Sequence, residues 1–307
     1  MNTKIIYIIG YGHSGSTLLD VLLGTSKSIQ GCGELSGVIR HGVQSICSCG
    51  ASVKDCRRWG PVIQNFLDKE GAGAMDNLQR YEKQFITRVP LWLHKKHICN
   101  TQAQEKELYH YHLLLRAFYE SLSTSWQADW IVDSSKNPIR AWHVSQALDD
   151  HMVFVHLVRD VRAVVWSLVR RGRELKQMSE GKTGAPSRGW IRGLLAWLYF
   201  NNICEKVLKE CGSKSMRLRY EDIMNHTIPT FDSIAEFIDV ADLKEVAESA
   251  FSGHSFPVEH RPSGNRLRLN DSLKVRNDDE WKKILNPCLS RNIYYLAYSK
   301  MKKYGYE

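Results

Sequence analysis

Long hydrophobic runs are missing from this 307-residue chain. The longest uncharged helix-like stretch, Gly193–Cys204, falls well short of the ~20 residues that a membrane span needs, so membrane insertion is not expected. The apolar start Ile5–Ile9 is shorter than the roughly 7–15-residue core of a secretory signal, and a glycine loop interrupts it. A cytoplasmic location is the expectation. Internal repeats, low-complexity segments and DNA- or RNA-binding motifs are also missing, so no nucleic-acid partner is expected. Among the eight cysteines there is no Cys-x-x-Cys pair. Cys47, Cys49 and Cys56 cluster in CSCGASVKDC, but zinc there would need a fourth ligand from elsewhere, such as Cys32, His41 or Cys99. A Cys47–Cys56 disulfide is disfavoured in a reducing cytosol, free thiols are the plainer reading, and no metal site is assigned. An acidic excess is lacking too: 42 basic and 33 acidic residues give a formal charge of +9, which favours an anionic ligand.

What is present begins at Ile5–Leu19, IIYIIGYGHSGSTLL. Ile5, Ile6, Tyr7, Ile8 and Ile9 read as a buried strand. A Gly/Ser loop over Gly10–Gly15 follows, and Ser16 and Thr17 open a helix. Loop amides and a helix start together make an anion site, and the glycines let backbone approach a phosphate. The spacing is close to the nucleotide loop G-x-x-x-x-G-K-[ST], with Gly10, Gly15 and Thr17 in place. Ser16 stands where the lysine that reaches the β/γ-phosphates would be. The basic side chain comes earlier, as His13, which suits a nucleotide carrying less terminal charge than ATP.

Further along, Gly31 and Gly33 flank a turn that presents Glu34 before a helix from Leu35. Such a carboxylate is placed either to act as a general base or merely to favour the helix start. Residues Pro61–Lys69, Met75–Lys96 and Gln102–Trp126 read as helices inserted between the first two βα units. Their aromatics, Trp92, Tyr109, Tyr111, Phe118, Tyr119 and Trp126, are mostly core by spacing, with a few expected in an acceptor pocket. Strand Trp130–Asp133 leads to Lys136 at its carboxyl end, and Pro138 suits a helix start. Strand Met152–Val158 ends in Arg159, with a helix over Val161–Arg171. Ser167, eight residues on, lies near the same helical face, so guanidinium and hydroxyl can grip one phosphate. Gln177–Arg188 reads as a loop, Gly189–Cys211 as a long helix, Ser215–Tyr220 as a strand and Ser252–Asn277 as irregular and basic. The C-terminal KMKKYGYE reads as frayed. The βα order implies one α/β domain over residues 1–307: a P-loop-like, doubly wound, mainly parallel sheet flanked by helices, with a helical insertion at about 60–127. Its ligand belongs beyond the strands' carboxyl ends.

GYGHSGSTLL resembles the 5′-phosphosulfate loop of sulfotransferases that use 3′-phosphoadenosine 5′-phosphosulfate (PAPS), which usually carry Lys or Arg where this chain has His13. VHLVRDVRAVVWS resembles their 3′-phosphate motif, with Arg159 and Ser167 on the signature positions. Asp133-Ser134-Ser135-Lys136 matches the segment whose lysine contacts the phosphosulfate. Cys32-Gly33-Glu34 resembles the segment holding the catalytic glutamate in tyrosylprotein sulfotransferases, and the Cys-x-Cys-Gly…Cys-x-x-Trp pattern is similar to an insertion in bacterial members.

The resemblance implies in-line sulfuryl transfer from PAPS to a hydroxyl or amine of a small-molecule acceptor, such as a natural product being tailored, releasing adenosine 3′,5′-bisphosphate (PAP). A carbohydrate acceptor, a degenerate P-loop kinase and a non-catalytic nucleotide-binding protein are the alternatives. Glu34 would take the acceptor's proton, with Lys136 and His13 stabilising the leaving charge. The loop Gly12, His13, Ser14, Gly15, Ser16, Thr17 would hold the 5′ end, and Arg159 and Ser167 the 3′-phosphate. Tyr220, from Tyr-Glu-Asp after a strand, would meet the adenine. The late loop Gly264, Asn265, Arg266, Arg268 would close over the nucleotide. This reading requires no divalent metal, and no oligomeric state is legible.

Overall fold

The computed structural model describes residues 3–86, 101–180, 189–264 and 266–306. Five parallel strands form the main sheet: β1 (Lys4–Ile9), β2 (Ile29–Gly31), β3 (Trp130–Lys136), β4 (Met152–Val158) and β5 (Ser215–Arg219), in the order β2-β3-β1-β4-β5. β1 lies at the centre because its side chains are apolar on both faces. Ile5, Tyr7 and Ile9 pack into one core, Ile6 and Ile8 into the opposite one.

Helix α1 (Ser16–Leu23) follows β1, and α2 (Leu35–His41) follows β2. Then come α3 (Gly60–Glu70), α4 (Ala74–Phe85) and α5 (Gln102–Trp126), which pack on the Tyr7 face through Phe66, Leu78 and Phe118. Helix α6 (Pro138–Leu148) joins β3 to β4. α7 (Val161–Glu180) and α8 (Gly189–Cys211) join β4 to β5. α9 (Tyr220–Asn225), α10 (Thr227–Ile238) and α11 (Leu243–Phe251) follow β5.

Several expectations needed revision. β2 is a strand where only a turn was read; its three residues are too few to show a period. α7 continues to Glu180, through residues read as the start of a loop; the rest of that stretch, 181–188, lies outside the described residues. The segment 252–277 holds an antiparallel hairpin, β6 (Ser255–Pro257) with β7 (Ser272–Lys274). The C-terminus is anchored rather than frayed. Met301, Tyr304 and Tyr306 are buried, and Glu205 on α8 accepts from Lys300, Lys303 and Tyr304 at 3.0, 2.7 and 2.8 Å. No described helix is long and apolar enough to cross a membrane.

One irregularity positions chemistry. Tyr7 pairs with Asp133 but Ile9 with Lys136, so β3 carries one residue more than β1 over this stretch. Such a bulge re-aims side chains, and Lys136 beyond it has a left-handed φ of 66°.

Candidate active site

The carboxyl end of every strand in the main sheet contributes to one cavity of about 830 Å³. β2 leads to Glu34, β3 ends in Lys136, β1 leads to Gly12–Thr17, β4 to Arg159 and β5 to Tyr220. The sheet order therefore sets Glu34 and Lys136 towards one end, the glycine loop in the middle, and Arg159 and Tyr220 towards the other. This is the crevice of an open α/β sheet.

The loop after β1 is shaped by its sequence. Gly15, the N-cap of α1, has φ 92°, and a Cβ there would lie 2.4 Å from the Tyr220 ring. Only glycine satisfies both conditions. His13 is also left-handed, at φ 68°. Its Nδ1 lies 2.9 Å from Ser167 Oγ, and its carbonyl accepts from Arg159 at 3.2 Å. The stretch expected to hold the 5′ end therefore touches both residues expected to hold a 3′-phosphate. Arg159 also lies 4.2 Å over the Tyr220 ring and pairs with Asp278 at 3.1 Å.

Glu34 accepts a hydrogen bond from Lys136 Nζ, which also donates to the Ser134 carbonyl at 3.2 Å. The turn carrying Glu34 is held from two sides. Asp20 of α1 accepts from Gly33 N at 3.2 Å and pairs with buried Arg261. From β3, Asp133 accepts from Leu35 N at 3.4 Å and Ser135 Oγ accepts from Ser36 N at 2.9 Å, so two β3 side chains cap α2. Asp133 is itself fully buried and accepts from Arg140 at 2.7 Å and from Tyr119 at 2.6 Å; Glu82 pairs with Arg140 at 2.7 Å. In Asp-Ser-Ser-Lys, the lysine faces the cavity, while the Asp133 and Ser135 side chains build what stands beneath it.

Among the expected residues, Gly12, His13, Gly15, Ser16, Thr17, Glu34, Lys136, Arg159, Ser167, Tyr220 and Gly264 line the cavity. Ser14 lies beneath the loop, buried, its hydroxyl without a partner. Asn265 lies outside the described residues, as does the Arg266 side chain. Arg268 does not line the cavity: a 3-10 turn over Arg266–Leu269 sets its guanidinium on the Arg261 carbonyl at 3.1 Å. Sequence reasoning missed Arg170, Lys274, Arg276 and Asp278, which do line it. None belongs to a recognisable spacing; Lys274 became locatable only through the β6–β7 hairpin.

Most of the described insertion aromatics behave as core, although Tyr109 is exposed. Tyr111, Phe118 and Tyr119 are fully buried, and none of the described ones lines the cavity. Trp92 lies outside the described residues. For the cysteines, Cys32 is occupied in donating to the Val132 carbonyl at 2.9 Å, and Cys99 lies outside the described residues.

Fold and site together define an open α/β sheet with a basic cleft along its carboxyl edge. The sequence matches the model of the sulfotransferase family over residues 6–245, and the chain belongs to that family. Among solved structures, sulfotransferase STF9 from Mycobacterium avium shares the fold, superposing with TM-score 0.53 at 10% identity and covering 100% of this chain and 78% of that one. A sulfotransferase domain from the curacin biosynthetic pathway gives TM-score 0.48 at 17% identity over 100% and 99% of the two chains. No curated protein gives a significant match.

Proposed function

We propose that the chain transfers a sulfuryl group from PAPS to a hydroxyl or amine of a small-molecule acceptor, with Glu34 as general base. The observation that carries this reading is the convergence of Glu34, Lys136, His13, Ser167 and Arg159 on one cavity from beyond the ends of four different strands.

The residues fit the donor. His13, Lys136, Arg159, Arg170, Lys274 and Arg276 face the cavity, against Glu34 and Asp278 as its acids. Arg159, which lines the cavity, has a buried Nε without a partner, an arrangement that an anionic ligand would explain. Arg159 and Ser167 would hold the 3′-phosphate, and Tyr220 would flank the adenine. The loop amides and His13 would hold the 5′-phosphosulfate, directing the sulfuryl group towards Glu34.

In the transfer, an acceptor lone pair forms the new bond to sulfur as the bond from sulfur to the bridging phosphate oxygen breaks. The electron pair leaves on PAP, and the acceptor's proton passes to the Glu34 carboxylate. Lys136, bonded to Glu34 before the donor binds, would turn to the leaving oxygen, giving charge stabilisation there and freeing the carboxylate. As in phosphoryl transfer, positioning and electrostatics supply most of the effect. No step calls for a divalent ion. Asp133, the acid nearest to a metal-binding position by sequence, is taken up by Arg140 and Tyr119.

Glu34→Gln keeps a hydrogen-bond acceptor for Lys136 but no base. Turnover with PAPS should fall by roughly 10²–10⁴-fold, while PAP binding measured by calorimetry stays close to wild type. Undiminished turnover would remove Glu34 from the role. A wild-type protein that binds PAP but turns over no acceptor in a broad screen would favour a nucleotide-binding regulator.

A further inference from the structure

We propose that Cys47, Cys49, Cys56 and His260 form a structural zinc site that fastens the cysteine loop to the segment leading to Gly264. Their ligand atoms all lie within 4.8 Å of one another, although His260 is separated from Cys56 by more than 200 positions. Cys56 Sγ lies 3.7 Å from Cys49 Sγ and 3.8 Å from Cys47 Sγ. Two sulfurs each about 2.3 Å from a tetrahedral ion stand about 3.8 Å apart, whereas disulfide sulfurs stand about 2.05 Å apart. The fourth atom, His260 Nδ1, is 3.1 Å from Cys56 Sγ. Three thiolates and an imidazole are a soft donor set that suits zinc over the hard divalent cations.

The surroundings fit an ion. Cys47, Cys56 and His260 are buried, while Cys49 is exposed and offers an entry path. Arg57 Nε donates to His260 Nε2 at 2.9 Å, which leaves the ring proton on Nδ1, facing Cys56. Zinc at Nδ1 displaces that proton. Nε2 would then carry one in place of accepting from Arg57, and the Glu259 carboxylate, now 3.9 Å away, would have to close in to accept it. The three thiols would release their protons to solvent, and the resulting negative charge would sit near Arg57, which bonds His260, and Arg58, which interacts electrostatically with Cys56 and Cys47.

The tie reaches the cleft. Ser48, between two of the cysteines, accepts from Arg261 N at 2.9 Å and donates from its own N to the Arg261 carbonyl at 3.3 Å. Trp59 Nε1 donates to the His260 carbonyl at 2.7 Å. Arg261 then pairs with Asp20, and Gly264 lies beside Glu34, where a Cβ would stand 3.6 Å from Oε1.

The test is the metal content of the full-length chain, purified without chelator and reconstituted with Zn²⁺ under reducing conditions. One zinc per chain is expected, and Co²⁺ in its place should give a thiolate charge-transfer band. Cys49→Ser changes an exposed side chain and should lose both signals while circular dichroism shows the fold intact. Cys288→Ser, at an exposed cysteine elsewhere, should keep both. If Cys49→Ser fails to fold, His260→Gln provides the same comparison. Three results would overturn the site: sub-stoichiometric metal after reconstitution, zinc binding unchanged in Cys49→Ser and His260→Gln alike, or a mass two hydrogens low mapping to a disulfide among the three cysteines.

Discussion

His13 is the basic side chain of the loop after β1, three residues before Ser16, which stands at the P-loop lysine position. Here the residue also works by connection: its imidazole meets Ser167 and its carbonyl receives Arg159. A single left-handed residue thus joins the loop that would hold the donor's 5′ end to the pair that would hold its 3′-phosphate. Arg159 is the residue on which discrimination for that phosphate should rest, because a guanidinium matches phosphate in a fork geometry that lysine cannot reproduce. Hydrogen bonds to charged groups contribute about 1.5–3 kcal/mol. Arg159→Ala should therefore weaken PAP binding by about 10–100-fold while leaving AMP affinity nearly unchanged, as read by calorimetry. An equal loss for both nucleotides would assign Arg159 to general architecture instead.

At the scale of elements, β3 and α2 behave as one unit. Asp133 and Ser135 cap the helix behind Glu34, and the Arg140 pairs lie beneath them, fully buried. Breaking a buried ion pair from one side typically costs about 3–5 kcal/mol, because the partner is left charged and unpaired. Arg140→Met should lower urea-unfolding stability by that order and reduce turnover more than PAP affinity, since it loosens the base rather than the nucleotide cradle. Unchanged stability would show that Asp133 and Glu82 find other partners. This network was not legible in the sequence. Arg140 sits in a helix with no motif, and its partners come from α4, α5 and β3. The elements with clear periods were legible: Gln102–Trp126, Met152–Val158 and Gly189–Cys211 have the bounds expected of them. So were the residues carried by loop motifs at strand ends. What stayed hidden is long-range: His260 beside the cysteines, Asp278 on Arg159, and Lys274 and Arg276 at the cavity depend on how distant segments meet, which no local spacing encodes.

At the scale of the whole molecule, five lysine and arginine side chains against two acids leave the cleft positive, and the pH dependence of stability rests in part on histidines buried without charge. Burial pushes the His156 imidazole, which bonds Asn201 at 3.0 Å, down to about 4, and desolvation does the same to His112. An unfolded histidine takes its proton near 6.5. Stability is therefore fully present above about pH 6.5 and is lost as pH falls towards 4, where the folded state also protonates. For His156 that separation corresponds to roughly 3 kcal/mol. Glu205, although burial raises it, is held near 2 by hydrogen bonds from Lys303, Tyr304 and Lys300, so its loss begins only where free carboxylates titrate, below about pH 4.5. Urea midpoints should fall between pH 6.5 and 4.5, and His156→Gln should make that decline shallower. A flat profile over this window would contradict the assignment.

The central claim is that one basic cleft holds an adenosine phosphorylated at both its 3′ and 5′ positions. Thermal shifts with PAP, AMP, ADP and ATP, each with and without Mg²⁺, test it most directly. The account predicts that PAP raises the melting temperature most, that AMP does little, and that Mg²⁺ leaves the PAP shift unchanged. A larger, Mg²⁺-dependent shift with ATP, or equal shifts with PAP and AMP, would contradict it.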